Sequence, residues 1–595
     1  MSEVLWTSQT ASYNTTEAES DNAIVVGSDG SSYVVYTTYG DTSGNTRSSV
    51  NADIAVVKFN AAGVTQWVTQ QISFNTLGYN GSPCIGVDGS GNTYIAYGGD
   101  AQVSGGTLTG TNDIIVFKLN ASGQNVWTVQ SPTINSNDSN FYPSIAVDTS
   151  GNSYIAYNSI NGSDQTVSVA KMDTDGTVVW VKNDASFNIS PDTANSPNIG
   201  VDGSGNSYVV YYGPGTASGQ TNSGGDDIIV FKLNTNGDTQ WITQQPSFNT
   251  SEYDQNPVIA VDASGNSVVA YTTTGTASGG TNSGSNDVVV FKLNTNGQTL
   301  WTVENPILNT VEYDGYPSIA TNGSNICVTY TTSGTISGGV FTSSYYDIVV
   351  YKLNSSGQIV WTAQNSVFNT SDGTQYSAVS MDPSGNAYVT YNSNGTVSGG
   401  TNTGSTDIIL FKIGDQQPPC FNYGTQILCV DKDCKEVYVP IQDIKVGTIV
   451  KTYYRGNRRV TMCGHKTMIN NPEKWAYSMY KMPKTGEMLD DLIVTGGHSI
   501  LQDKPVTDVM ELTKQHKYWG NKKYLIDGKY MVLAAVSKKF TQLKDTNQYT
   551  YYHLVLDCDN EYKQYGIWAN GVLTESQSLH DFKKHKYDGF DLYTS

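Results

Sequence analysis

The segment Asp227-Ile228-Ile229-Val230-Phe231-Lys232-Leu233-Asn234-Thr235-Asn236-Gly237-Asp238-Thr239-Gln240-Trp241 is one of seven related phrases in this chain. Close copies start at Asp53, Asp113, Asp287 and Asp347. A degenerate copy covers residues 168–180, and a copy from Asp407 stops before its tryptophan. The tryptophans fall at Trp67, Trp127, Trp180, Trp241, Trp301 and Trp361, spaced by 53 to 61 residues. A second phrase, an apolar residue followed by V-D-x-S-G-N-x-Y, precedes each copy. Its acidic positions are Asp29, Asp88, Asp148, Asp202, Asp262 and Asp382, with Asn322 standing in once.

Each unit reads as four short strands. Tyr208 and Val210 in one strand, and Ile229, Phe231 and Leu233 in the next, carry the period-2 alternation of a pleated strand. The D-x-S-G-N segments are hairpin turns in which Gly supplies the left-handed backbone position. Four-stranded units repeated at a fixed period predict an all-β fold with a seven-bladed β-propeller over residues 1–413. The ends set the count. The last unit lacks its tryptophan strand, and Glu3-Val4-Leu5-Trp6-Thr7 matches that strand as it appears at Gln240-Trp241-Ile242-Thr243. The N-terminal strand is therefore expected to complete the final blade and leave no open edge. The repeat resembles bacterial-type seven-bladed propeller repeats, a likeness that implies fold rather than activity.

Composition divides the chain in two. The 595 residues carry a net charge of −20, with a pI of about 4.6 and only 14% charged residues, against ~25% in ordinary globular proteins. Residues 1–412 hold 9 Lys+Arg and 32 Asp+Glu, a charge of −23. Residues 413–595 hold 24 and 21, a charge of +3. The acidity excludes a nucleic-acid binder that works through a global basic surface. No run of 18 apolar residues reads as a membrane span, and MSEVLWTSQT does not read as a classical signal peptide. All six His and five of the seven Cys (Cys420, Cys429, Cys434, Cys463, Cys558) lie in the second part. The two parts meet at a short linker, Gly414-Asp415-Gln416-Gln417-Pro418-Pro419.

Five propeller units carry an insertion such as Gly275-Thr276-Ala277-Ser278-Gly279-Gly280-Thr281-Asn282. These loops are expected on one face, as a binding surface or as solvated hairpin loops, and the second reading is preferred. The hairpin Asp residues lack the carboxylate density of a calcium loop. The Asn-x-Ser/Thr sequons, all before residue 413, read as chance products of a sequence rich in Asn, Ser and Thr.

The second part opens Cys420-Phe421-Asn422-Tyr423-Gly424-Thr425. It continues through Val494-Thr495-Gly496-Gly497-His498, Tyr552-His553-Leu554 and Ala569-Asn570-Gly571-Val572-Leu573-Thr574-Glu575-Ser576. In that order these motifs resemble the Hint domain shared by hedgehog proteins and inteins, over residues 420–577, with a tail at 578–595. The resemblance implies self-processing. Cys420 would attack the carbonyl of Pro419 and form a thioester. Thr495 and His498 would polarise the scissile peptide and protonate its nitrogen, and His553 is a candidate second acid/base group. Protein splicing is not implied, because Asn570 follows Ala569 and precedes Gly571 with little chain beyond. Where hedgehog domains use an Asp to activate a sterol, the best positional match is His465.

The remaining thiols read as ordinary buried cysteines, since no C-x-x-C pair marks a zinc site. His516, His580 and His585 sit in Lys-rich polar stretches and read as solvated, and the tail 578–595 reads as a short surface helix or flexible end. No cofactor and no metal are expected. The expected partners are proteins or further copies of the chain, with a glycan as another partner class and no direct nucleic-acid binding. Propellers with a Hint-like C-terminal domain resemble surface proteins of giant viruses of amoebae, which implies a structural or binding role at a virion exterior. The alternative is an active autoprocessing protein that releases or transfers its propeller. A glycan lyase or hydrolase has little support, because residues 1–413 contain no His and no paired-carboxylate motif.

Overall fold

The computed structural model describes all residues except 1, 49–50, 136–138, 162–163, 189–193, 218, 344, 416–419, 471, 473–477, 509–510, 513–514, 516–524, 559, 561, 580–590 and 595. Pro418, Pro419, His516, His580, His585 and the sequon at Asn137 thus lie outside the described residues. The chain forms two compact units, Ser2–Gly414 and Asp415–Ser595.

The first unit is a seven-bladed β-propeller, built from seven four-stranded antiparallel sheets. Blade 1 runs Glu19–Val26, Ser32–Thr38, Asp53–Phe59 and Thr65–Thr69 in sheet order. Blades 2 to 6 repeat this pattern. Blade 7 runs Thr374–Met381, Ala387–Ser393 and Asp407–Asp415, with Ser2–Ser8 hydrogen-bonded to Asp407–Asp415 as its fourth strand. The two middle strands of a blade are buried at nearly every position, not at alternate ones. Both sheet faces pack on neighbouring blades, so each core cluster spans two of them. Val34, Tyr36 and Phe59 of blade 1 pack with Tyr388, Ile408 and Leu410 of blade 7.

The repeated residues each have a structural task. The Trp indole donates to a hairpin carbonyl of the next blade: Trp6 to Ala61, Trp67 to Ala121, Trp127 to Thr174, Trp180 to Thr235, Trp241 to Thr295 and Trp301 to Ser355, all at 3.0–3.2 Å. A buried Tyr hydroxyl bonds the backbone carbonyl 22 to 24 residues upstream in all seven blades, as Tyr97 does to Phe74 at 2.5 Å. In five blades the Lys of the repeated phrase lies over a Tyr ring, as Lys118 does over Tyr94 at 4.8 Å. Several sequon asparagines are interior: Asn249 brackets Ile228 through both its amide atoms, and Asn369 brackets Ile348 likewise.

The inserted loops are anchored rather than merely solvated. A buried glutamine accepts a loop N–H through Oε1 and donates Nε2 to the buried Asp that opens the third strand. Gln70 does this for Thr42 and Asp53, Gln244 for Ala217 and Asp227, and Gln364 for Ile336 and Asp347. Blade 5 differs, with Glu304 in the glutamine position.

The second unit is also all-β in its named strands. One path through its sheet runs Asn457–Ile469, Gln548–Leu556, Phe421–Asn422, Leu492–Thr495, Met479–Met482 and Thr541–Gln542. Its core includes Val460, Leu492, Val494, Leu533, Leu554 and Ile567. The tail departs from expectation: Asp591–Thr594 is a strand paired antiparallel to the segment Met462–His465, with Met462 opposite Thr594. The outer side of Asn457–Ile469 offers unpaired backbone groups, and the chain end satisfies them.

Candidate active site

Phe421–Asn422 is a two-residue strand held between two others, with Phe421 opposite both Val494 and Tyr552. That pairing sets the residue before it. The Cys420 N–H donates to Thr495 Oγ1 at 3.0 Å, and the Thr495 N–H donates to the Cys420 carbonyl at 3.2 Å. Cys420 is clamped at both ends of its backbone, and the clamp residue is the Thr of the T-x-x-H motif.

Cys420 Sγ lies 3.3 Å from His553 Nε2. Both side chains are buried, at 0% and 4% exposure. Burial pushes the Cys420 thiol well above its ordinary value, with the Lys466 ammonium opposing that shift. The sulfur therefore rests as a thiol, and the imidazole is the group within reach to take its proton.

Sheet register explains the grouping. Gly464 is opposite His553 and Lys466 is opposite Tyr551, so His553, Tyr551 and Lys466 share one face. Tyr551 is fully buried, packs with Cys420, and its hydroxyl has no hydrogen-bond partner among the described residues. Burial and the neighbouring Cys420 raise its pKa. Lys466 and Tyr551 escaped the sequence reading, although the alternation around Gly464 and His553 carries the signal.

The other candidates are placed differently. His498 is buried, its N–H donates to the Thr495 carbonyl at 3.0 Å, and its ring packs on Phe421 with centroids 4.2 Å apart. It thus sits one residue along from the thiol. His465 is opposite Tyr552 and stacks on that ring at 5.5 Å, on the sheet face away from His553. Asn570 has a positive φ of 47° and a structural bracket: its Oδ1 accepts the Gln426 N–H at 2.7 Å and its Nδ2 donates to the Asp491 carbonyl at 2.7 Å. No disulfide joins any of the seven cysteines, and no metal-ligating cluster occurs among the described residues.

No protein-family model matches the chain, and no curated protein is similar to it in sequence. Among solved structures, a protein of unknown function from Dyadobacter fermentans is similar at 10% identity and a TM-score of 0.37, over 70% of this chain and 99% of that one. A polysaccharide lyase is similar at 11% identity and 0.37, over 66% and 90%. The sialidase of Trypanosoma rangeli is similar at 10% identity and 0.34, over 96% and 89%. These likenesses are distant, and the propeller assignment stands on the strand pairing of this chain.

Proposed function

We propose that the second unit is a Hint-type self-processing domain that cuts the chain at Pro419–Cys420, with the propeller as its N-terminal product. The carrying observation is the buried thiol of Cys420 at 3.3 Å from His553 Nε2, on the residue whose amide is clamped by Thr495. In this reading the thiol proton passes to His553 as sulfur attacks the Pro419 carbonyl carbon. The bond from that carbon to the Cys420 nitrogen breaks, a thioester forms, and the nitrogen leaves as a protonated amine. Thr495 Oγ1, accepting from the scissile N–H, orients that nitrogen, and His498 supplies its proton. Water then hydrolyses the thioester, giving a free carboxylate on Pro419 and restoring the thiol.

The test is intact mass after incubation of the full chain with a small thiol. Wild type should give two fragments summing to the 64.3 kDa chain plus water. Cys420→Ala should remain whole, and His553→Ala should slow cleavage by ~10²–10⁴-fold. A wild-type chain that stays intact under thiol treatment would sink the reading.

A second reading concerns the propeller's own role, as a structural or binding body at an exterior surface such as that of a virion. Its support is an acidic, hydroxyl-rich ring whose loops are pinned, and we infer that the N-terminal strand closes that ring. Recovery of the propeller only as a free monomer, absent from purified particles, would count against this role.

A further inference from the structure

The innermost strand of every blade contains one residue in the left-handed region: Asp21, Ser82, Tyr142, Ser196, Asn256, Tyr316 and Tyr376, with φ between 46° and 53°. In all seven strands it sits at a break in the pairing register, as between Gly315 and Ser318 or Gln375 and Ala378. For a residue with a Cβ this backbone is costly, and such bulges serve to re-aim a side chain. In blades 6 and 7 the re-aimed residues are both tyrosines, and they meet edge-to-face at 5.3 Å and 65°.

Around them lies a cavity of about 360 Å³ lined by Tyr313, Tyr316, Tyr346, Tyr376 and Thr331. Tyr346 also lines a second cavity of about 360 Å³, with Tyr345, Asp372, Asn392 and Asn394 in its wall. The rings are held in place and yet open. The Tyr346 carbonyl accepts the Thr374 N–H at 3.1 Å and its hydroxyl at 2.8 Å, and the Tyr313 carbonyl accepts the Ser333 N–H at 3.0 Å. Tyr316, Tyr376 and Tyr345 remain 44%, 49% and 71% exposed. One residue lining each cavity also carries a buried polar atom with no hydrogen-bond partner among the described residues: Thr331 Oγ1 in the first and Asn392 Oδ1 in the second. An orphaned buried acceptor is costly, and a ligand hydroxyl relieves that cost.

We propose that these adjoining cavities bind a neutral oligosaccharide. A pyranose presents a face of polarised C–H groups, which the negative faces of tyrosine rings attract. Its rim of hydroxyls suits Asp372, Asn392, Asn394 and Thr331. Among the described residues no Lys, Arg or His lines either cavity, and the nearby carboxylate of Asp372 disfavours an anionic sugar. Two cavities sharing one ring suit at least two linked residues of a chain. The site is independent of the chemistry at Cys420.

The test is titration calorimetry on the full chain with cellohexaose, maltohexaose, N-acetylchitohexaose, sialyllactose and tetramethylammonium chloride. Saturable binding of at least one neutral hexasaccharide is expected, with none of sialyllactose. Tyr316→Ala with Tyr376→Ala should weaken it at least about tenfold. Tyr316→Phe with Tyr376→Phe should hold it within about threefold, because the ring faces remain. Loss in both pairs alike, binding unchanged by the alanine pair, or no neutral sugar bound at millimolar concentration would overturn the proposal. Binding of tetramethylammonium alone would overturn it in favour of an organic cation caged by the rings.

Discussion

Glu304 shows what one atom can decide. In five blades a glutamine side chain joins loop to strand, with its Nε2 donating to a buried aspartate. In blade 5 the oxygen of Glu304 replaces that donor. Its Oε2 still accepts the Ala277 N–H at 2.8 Å, but Oε1 has no partner among the described residues and Asp287 Oδ2 lacks the glutamine donor found in those five blades. Burial, with Asp287 and Asp254 nearby, raises the Glu304 pKa to about 7. Glu19 is raised to about 8, and Asp254 and Asp314 to about 6, all chiefly by burial. These acids keep their protons in the folded state after the unfolded chain has lost them. Their contribution is therefore fully present below pH 4 and is lost as pH rises through about 6 to 8. Thermal melts should show higher propeller stability at pH 5 than at pH 8. Glu304→Gln should flatten that slope and add about 1.5–3 kcal/mol at pH 8 by restoring a donor to a charged acceptor; an unchanged melt would refute the account. The grouping of side chains around Cys420, as distinct from any chemistry there, was partly legible. Cys420, Thr495 and His498 followed from motifs, while the 133-residue separation between Cys420 and His553 gave no local sign that these two would touch.

Among the elements, the hairpins that follow each Lys carry the joints between blades. Gly123 has φ +79°, and a Cβ built on it would lie 2.8 Å from the Trp67 ring. Gly297 stands in the same relation to Trp241, at 2.9 Å. Gly123→Ala should therefore cost about 2–5 kcal/mol, from the left-handed backbone and the overpacked ring together. Denaturant unfolding checks this, and the exposed glycine Gly105, whose Cβ would meet nothing within 4 Å, is the control that should cost less. These elements were readable in advance because each repeated residue type has a repeated task. The strand Asp591–Thr594 was not, since four residues after a Lys-rich stretch are too short for alternation to register. The tyrosine pair was equally hidden: Tyr316 and Tyr376 lie 60 residues apart, and only the stacking of neighbouring blades joins them.

For the molecule as a whole, the inferred closure of the ring rests on the hydrogen bonding of Ser2–Ser8 to Asp407–Asp415. Asn14 brackets Ile408, and Gln9 bonds Asp407 and the Val397 N–H. Deleting residues 2–8 removes a strand and the Trp6 joint to Ala61. The truncated chain is expected to melt well below wild type and to aggregate through the exposed edge of Asp407–Asp415. Light scattering during the melt reads both effects, and a truncated chain as stable as wild type would dismiss the closing role of that strand.

The six tryptophan joints run the same way around the ring, and blades 1 to 5 each donate forward and accept from behind. Each of those five units thus carries one outgoing and one incoming half of the same connector. Such cassettes are interchangeable currency for recombination: an unequal exchange between two copies of the coding sequence adds or removes a blade whose connectors already match its new neighbours. Variation can then accumulate at the bulge positions, where Asp, Ser, Asn and Tyr already occur around the ring, while the scaffold that presents them stays constant.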